Sequence, residues 1–241
     1  MELRDVRALV TGGASGMGAH FVERLGDEGA GVFSCDIQPL DGGTVADVSS
    51  EEDVTRLFLE AEAALGGPVN LLVNNAGIIR DGLLVKRDRD TGELSTMSTT
   101  KWQQVLDVNL TGPFLCMREF ARRAIESETK PGLAVNMSSI SRAGNPGQSN
   151  YAAAKAGLVA DTVLWARELA RYGLRAVAIA PGFVRTPMVE SMPPQALERA
   201  LKPVPMRRLG EPEEIWTALR FCIECSYFTG RVVEVDGGLR L

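Results

Sequence analysis

Short apolar runs bounded by glycine or charge alternate along the chain with segments whose apolar positions recur every three to four residues. Arg7–Thr11 is such a run, followed by a tight glycine loop at Gly12–Gly18 and a helical pattern over Ala19–Gly29 that glycine ends. Gly31–Cys35 is the next strand, with Asp36 at its end. Asp53–Gly66 has helical periodicity, stopped by Gly67 and Pro68. Val69–Val73 is almost continuously apolar, as a strand buried on both faces must be. The pattern then predicts a long helix over Trp102–Ser127, a strand at Leu133–Met137, a second long helix over Tyr151–Tyr172 and a strand at Arg175–Ala180 that stops at Pro181-Gly182. A helix over Glu211–Glu224 and a strand at Arg231–Val235 complete it. Strands alternating with helices imply right-handed βαβ units. The expectation is therefore an α/β chain: one Rossmann domain over residues 1–241, a doubly wound parallel sheet of about seven strands with helices on both faces.

Two stretches break the alternation. Arg80–Lys101 is polar and rich in Ser and Thr, and Met188–Arg208 carries Pro193, Pro194, Pro203 and Pro205. Long irregular segments in such a domain are usually functional loops, and both follow carboxyl ends of predicted strands, where these sheets bind ligands. The region 188–208 reads as a lid, and Arg80–Lys101 has room for an extra hairpin.

Composition narrows the class. The chain has 241 residues, 45% hydrophobic and 24% charged, enough for folding to bury roughly 70–75% of the unfolded surface. No run nears the ~20 apolar residues of a membrane span, and Met1–Val10 lacks the apolar core of a secretory signal, so a cytoplasmic protein is expected. Against 26 basic residues stand 31 acidic ones, a net −5 that argues against nucleic-acid and membrane partners and leaves a small molecule as the partner. The run Lys86–Asp90 is mixed in sign and reads as a solvated loop. Cys222 and Cys225 form a CxxC with no second pair and no adjacent histidine, so no metal site is expected and both thiols read as packed hydrophobes. The single histidine, His20, serves neither a Ser-His-Asp hydrolase nor a His-ligated zinc enzyme. It is placed on the flank of the first helix.

The chemistry must come from elsewhere. Gly12, Gly16 and Gly18, with Ser15 and Met17 between them, lie between a strand and a helix, where backbone N–H groups can approach a pyrophosphate at the positive helix end. The spacing G-x-x-x-G-x-G is a relative of the G-x-G-x-x-G fingerprint. Asp36 at the end of the second strand is placed to accept from the adenosine ribose hydroxyls and would repel a 2′-phosphate, which favours NAD over NADP; Ser15 supplies no cation for that phosphate. The plain alternative for Asp36 is a turn residue before Pro39. Tyr151 and Lys155 stand four residues apart, on one face of a helix. An ammonium beside a phenol favours the phenolate, which makes tyrosine a usable general acid or base near neutral pH.

These motifs, with Asp47-Val48, Asn74-Asn75-Ala76-Gly77, Asn109, Ser138 and Pro181-Gly182, occur in the order of the short-chain dehydrogenase/reductase family and span nearly the whole chain. The sequence resembles that family, and within it the 3-oxoacyl-carrier-protein reductase and 3-hydroxyacyl-CoA dehydrogenase group. The resemblance implies roles. Tyr151 would move the proton between protein and substrate oxygen, and Lys155 would tune it and bind the nicotinamide ribose. Ser138, thirteen positions before Tyr151, would hold the substrate oxygen; Ser139 is its rival in register, and the spacing selects Ser138. Asn109 would anchor a water of a proton relay, against the plainer reading of a polar helix residue. Asp47 and Val48 would meet adenine, Asn75, Ala76 and Gly77 the adenosine side, and Pro181, Gly182, Val184 and Thr186 the nicotinamide end. The resemblance also implies a homotetramer built on the two long helices.

The expected function is hydride transfer between NAD(H) and the carbinol carbon of a secondary alcohol or 3-hydroxyacyl substrate. Two alternatives stand beside it: an NADPH-dependent 3-oxoacyl-carrier-protein reductase, and a dinucleotide-binding protein without chemistry. Arg207-Arg208 reads equally as a contact for an acyl-CoA phosphate and as solvated charge.

Overall fold

Burial with a period of two divides the apolar side chains of each strand between two cores. In strand β1 (Arg7–Thr11) Ala8 and Val10 enter one core and Leu9 the other; in β4 (Leu71–Asn74) Leu71 and Val73 oppose Leu72 in the same way. The structure, a computed structural model, describes residues 1–240. The remaining strands of the sheet are β2 (Gly31–Asp36), β3 (Gly43–Val45), β7 (Gly132–Met137), β8 (Leu174–Pro181) and β9 (Val232–Val235). All seven pair in parallel, in the order β3-β2-β1-β4-β7-β8-β9. This is the doubly wound α/β sheet that the sequence predicts, with its order reversing between β1 and β4.

Helices α1 (Gly16–Asp27) and α8 (Pro212–Glu224) cover one face, burying Phe21, Leu25, Ile215, Trp216 and Leu219. Helices α2 (Glu51–Leu65), α4 (Gly112–Glu126) and α5 (Ser149–Leu169) cover the other. On that second face β7 and β8 present Ala134 and Ala176, small residues that let α4 and α5 approach closely. The seventh strand, β3, has no apolar signature; its three residues form because Ser34, Cys35 and Asp36 of β2 offer an open edge.

Several segments depart from the sequence reading. The helix expected over Trp102–Ser127 is α3 (Thr99–Leu106), a π-helical turn at Asp107–Thr111, and α4. It starts three residues early because the Ser98 hydroxyl accepts from Lys101 N and caps it. Helix α5 starts at Ser149 and ends in a 3-10 turn, Ala170–Tyr172, which Gly173 closes at φ 76°. The proline-rich stretch after β8 holds two short helices, α6 (Pro187–Glu190) and α7 (Pro194–Leu201), each with proline in its first turn, where the missing N–H costs nothing. Between β4 and α3 the polar segment folds as an antiparallel hairpin of β5 (Val85–Arg87) and β6 (Leu94–Thr96), with every strand residue exposed.

Cys222 is buried in α8 with its thiol pushed up to about 12 by desolvation, and all four cysteines are free. Among the described residues no cluster of His, Cys, Asp and Glu could hold a metal ion, and no helix is long and apolar enough to cross a membrane.

Candidate active site

The carboxyl ends of β1 and β4 diverge where the strand order reverses, and a cleft of about 570 Å³ opens there. Its floor is stitched by Thr11. The Thr11 hydroxyl accepts from Asn75 N and Ala76 N at 3.0 Å each, and Asn75 Nδ2 donates to the Thr11 and Gly12 carbonyls. These bonds hold the glycine loop against the turn after β4. Two glycines are dictated by contact: a Cβ at Gly18 would sit 1.9 Å from the Gly12 carbonyl, and one at Gly12 would sit 2.8 Å from Ala76 Cα. The Ser15 side chain makes no cap at the start of α1, so the helix amides face the cleft uncapped. That cradle, too tight for side chains and lined by backbone donors, fits a dinucleotide pyrophosphate.

Asp36 stands at one end of the cleft. Its carboxylate accepts from Ala14 N at 3.2 Å and from Gln38 N at 3.1 Å, which fixes it at the edge of the loop. Ile37, 62% exposed, lies beside it on the cleft wall. Asp47 and Val48 also line this end, as do Ser15, Gly16 and Met17. The first turn of α2 supports them: the Asp53 carboxyl is held below the usual range first by the bond it accepts from Asp47 N and then by its pairing with Arg56.

At the other end stand Tyr151 and Lys155. Four residues apart on α5, they face the cleft together, with Lys155 Nζ 5.5 Å from the centre of the Tyr151 ring. Lys155 is 4% exposed and donates to the Met137 carbonyl at 2.7 Å. Burial pulls its ammonium down to about 8 and pushes the Tyr151 phenol up to about 12. Desolvation is the largest cause of the raised phenol value, and the bond to Ser139 acts against it. Gly77 lies between the lysine and Asn109; a Cβ there would be 3.7 Å from Lys155 Nζ and 3.4 Å from Asn109 Oδ1.

Asn109 is fully buried behind the wall, on the π-helical turn. It closes both bonds on Ile78, accepting from N at 2.8 Å and donating to O at 2.9 Å. Ser138 lines the cleft, but its hydroxyl donates to the Lys155 carbonyl at 2.9 Å. The side chain that reaches the Tyr151 phenol is that of Ser139. Spacing selects Ser138, which lines the cleft, whereas the bond to the phenol comes from its rival in register. Ser139 caps the 3-10 turn Ile140–Ala143, accepting from Ser141 N, and that compact turn brings the second serine level with the tyrosine.

Thr186 and Pro187 close the wall beside Gly16. Pro181, Gly182 and Val184 lie outside the lining. Pro181 is the last residue of β8, Gly182 N donates to Val235 O, and buried Val184 bridges to Gly210. They shape the strand end instead of facing the cleft. Gly18 is likewise beneath the floor. Ile78, Ile79, Arg80, Gln104, Asp107 and Val108 line the cleft without having been singled out in the sequence. Ile78–Arg80 directly follow Gly77, a signal that adjacency offered, whereas the π-helical turn that aims Asp107 and Val108 has no sequence signature.

Arg208 pairs with both oxygens of Glu214 at 2.7 Å, and Arg207 bonds the Lys202 carbonyl, so the basic pair is engaged within the fold. His20, on α1, bonds Glu213 at 3.0 Å, away from the cleft.

Residues 12–240 match the family described as Enoyl-(Acyl carrier protein) reductase. The chain is 36% identical to a (3R)-3-hydroxyacyl-CoA dehydrogenase of Canis lupus familiaris, covering 99% of this chain and 98% of that protein. It is 38% identical to a 3-oxoacyl-(acyl-carrier-protein) reductase of Thermotoga maritima, over 99% of each. It is 39% identical to an acetoacetyl-CoA reductase of Synechocystis, over 98% of this chain and 97% of the relative.

Proposed function

Because the chain belongs to the short-chain dehydrogenase/reductase family and is an oxidoreductase of nicotinamide dinucleotides, we propose that it interconverts a 3-hydroxyacyl thioester and its 3-oxo form with NAD(H). The observation that carries the reaction is a single cleft with the glycine loop and Asp36 at one end and Tyr151 with Lys155 at the other. A bound nicotinamide supplies the hydride donor or acceptor for the substrate carbon. The phenolic oxygen of Tyr151 gives a proton to the carbonyl oxygen in reduction and takes it from the hydroxyl in oxidation. Ser139, within reach of that phenol, donates to the same substrate oxygen and stabilises charge developing on it. Lys155, anchored on Met137, holds a cation next to the ring and offers its remaining protons to ribose hydroxyls. Asn109 keeps the turn at Ile78 in place behind the lysine.

Asp36 supports NAD over NADP. Its carboxylate is pinned by two backbone amides at the loop edge, ready to accept from a ribose diol, and Ala14 and Ser15 offer no charge to a 2′-phosphate. The exposed face of Ile37 suits an adenine ring. Residues 1–241 act as one dinucleotide domain with 188–208 as its lid. The free cysteines suit the reducing cytoplasm. Exposed Phe114 on α4 and Leu164 on α5 suit a homotetramer that packs these helices across dyads, for which sedimentation at a single tetrameric mass is the check.

Initial rates with 3-hydroxybutyryl-CoA and either NAD⁺ or NADP⁺ test the reading. The expected preference for NAD⁺ in kcat/KM is at least about tenfold, ~1.4 kcal/mol, and Asp36→Ala should erase it. A preference for NADP⁺ in the unaltered protein would overturn the assignment of Asp36.

A further inference from the structure

The serine that reaches the phenol is carried on a short piece of structure. Ser139 opens a 3-10 turn of four residues, Ile140–Ala143, and such turns have strained hydrogen bonds and little stability of their own. Two anchors hold this one. Ile140 is buried against Val204, in the proline-rich segment, and Leu239, near the end of the chain. Arg142 supplies the other anchor. Its guanidinium donates through Nη1 to the Ser139 carbonyl at 3.2 Å and through Nη2 to Glu234 of β9. The second oxygen of Glu234 accepts from the exposed Arg240 at 3.0 Å. Ser139 stands just past the end of β7, and β8 lies between β7 and β9, so Arg142 ties the turn to an edge strand two places away in the sheet.

We propose that Arg142 and Glu234 are positioning residues for Ser139: the guanidinium locks the turn that carries the serine to the edge of the sheet, and so fixes where its hydroxyl meets the substrate oxygen. This rests on the proposed role of Ser139 as donor to that oxygen. A planar guanidinium gives one N–H to the carbonyl and another to the carboxylate in fixed directions, which the single ammonium of a lysine does not. Neither Arg142 nor Glu234 is part of the cleft lining, so their effect reaches the reaction through the turn. A half-exposed ion pair adds little to global stability, but a reacting group misplaced by about 1 Å costs on the order of 10²-fold in rate. The tie therefore bears on kcat far more than on folding.

Arg142→Met and Glu234→Gln, each made alone and in Ser139→Ala, test this with a 3-oxoacyl-CoA and NADH. Alone, each should lower kcat about tenfold, with KM for the thioester and Kd for NADH within about twofold and the melting temperature within about 3 °C. In Ser139→Ala neither should lower kcat further, because the group they position is gone. Glu234→Gln keeps the shape of the carboxylate, so the test stays open if Arg142→Met does not fold. A second readout needs no turnover. The amides of Ser141 and Arg142 bond the Ser139 hydroxyl and carbonyl, and their hydrogen exchange in the cofactor-free protein should quicken at least about fivefold in either variant. Unchanged kcat, unchanged exchange, or a fall of the same size in Ser139→Ala overturns the proposal. Quickened exchange in a protein that turns over no alcohol or ketone upholds the tie and defeats the proposed function instead.

Discussion

Adjacent serines at the end of β7 face different tasks. Ser138 closes a bond on the Lys155 carbonyl, whereas Ser139 reaches the phenol. Ser139→Ala should therefore cost on the order of 10²-fold in kcat/KM at unchanged melting temperature. Ser138→Ala should cost about 1 kcal/mol of stability, by removing a buried hydrogen bond to the Lys155 carbonyl, and less than about tenfold in rate. A thermal melt and a steady-state assay of each variant decide between them. Lys155 makes a second prediction. Its folded-state value near 8 lies below the ordinary 10.5, so the unfolded chain binds the extra proton between those values and folding stability rises with pH across that window. Below pH 8 the full penalty of the buried cation is present. Lys155→Met should then stabilise the cofactor-free protein at pH 7 by about 1–2 kcal/mol net of the lost bond to Met137, and the gain should fade towards pH 10. Melts at both pH values check it. Above pH 10 Tyr151 works the opposite way. Its raised value means that the folded state keeps a proton the unfolded chain has lost, so stability falls as pH climbs towards 12.

Elements with one period and a buried face were legible. β1, β4, β7 and β8 are apolar runs because both their faces are covered, and α2 and α8 have one stripe each. What escaped lacked that cause. β3 is three residues on an edge, and the π-helical turn arises where Asn109 is drawn to Ile78, a contact between segments 31 positions apart. The placement of Ser139 beside Tyr151 escaped because it follows from a 3-10 turn, and spacing cannot see a turn. The β5–β6 hairpin buries nothing, and its ends are close, with Met97 N bonded to the Leu84 carbonyl. Excising Val85–Thr96 and bridging with two glycines should shift the melting temperature by less than about 3 °C, since a segment without buried area carries less than about 1 kcal/mol of a chain this size. A larger loss in calorimetry would mean that the hairpin is covered in solution.

At the scale of the molecule, two cores clamp one sheet, and where its winding reverses backbone amides, a pinned carboxylate and a buried Tyr-Lys pair share a cleft. Thr11 and Asn75 join β1 to the turn after β4 at the floor of that cleft. On the proposed function, cofactor binding and proton transfer are separable: the first is assigned to the glycine loop and Asp36, the second to a single phenolic oxygen. The most direct test is Tyr151→Phe, assayed for kcat with a 3-oxoacyl substrate and, by fluorescence titration, for NADH affinity. A fall in kcat of at least about 10²-fold with Kd for NADH within about threefold is the expected result. Retention of most of the activity, or loss of NADH binding in step with it, would contradict the assignment of Tyr151 as the proton-transferring group.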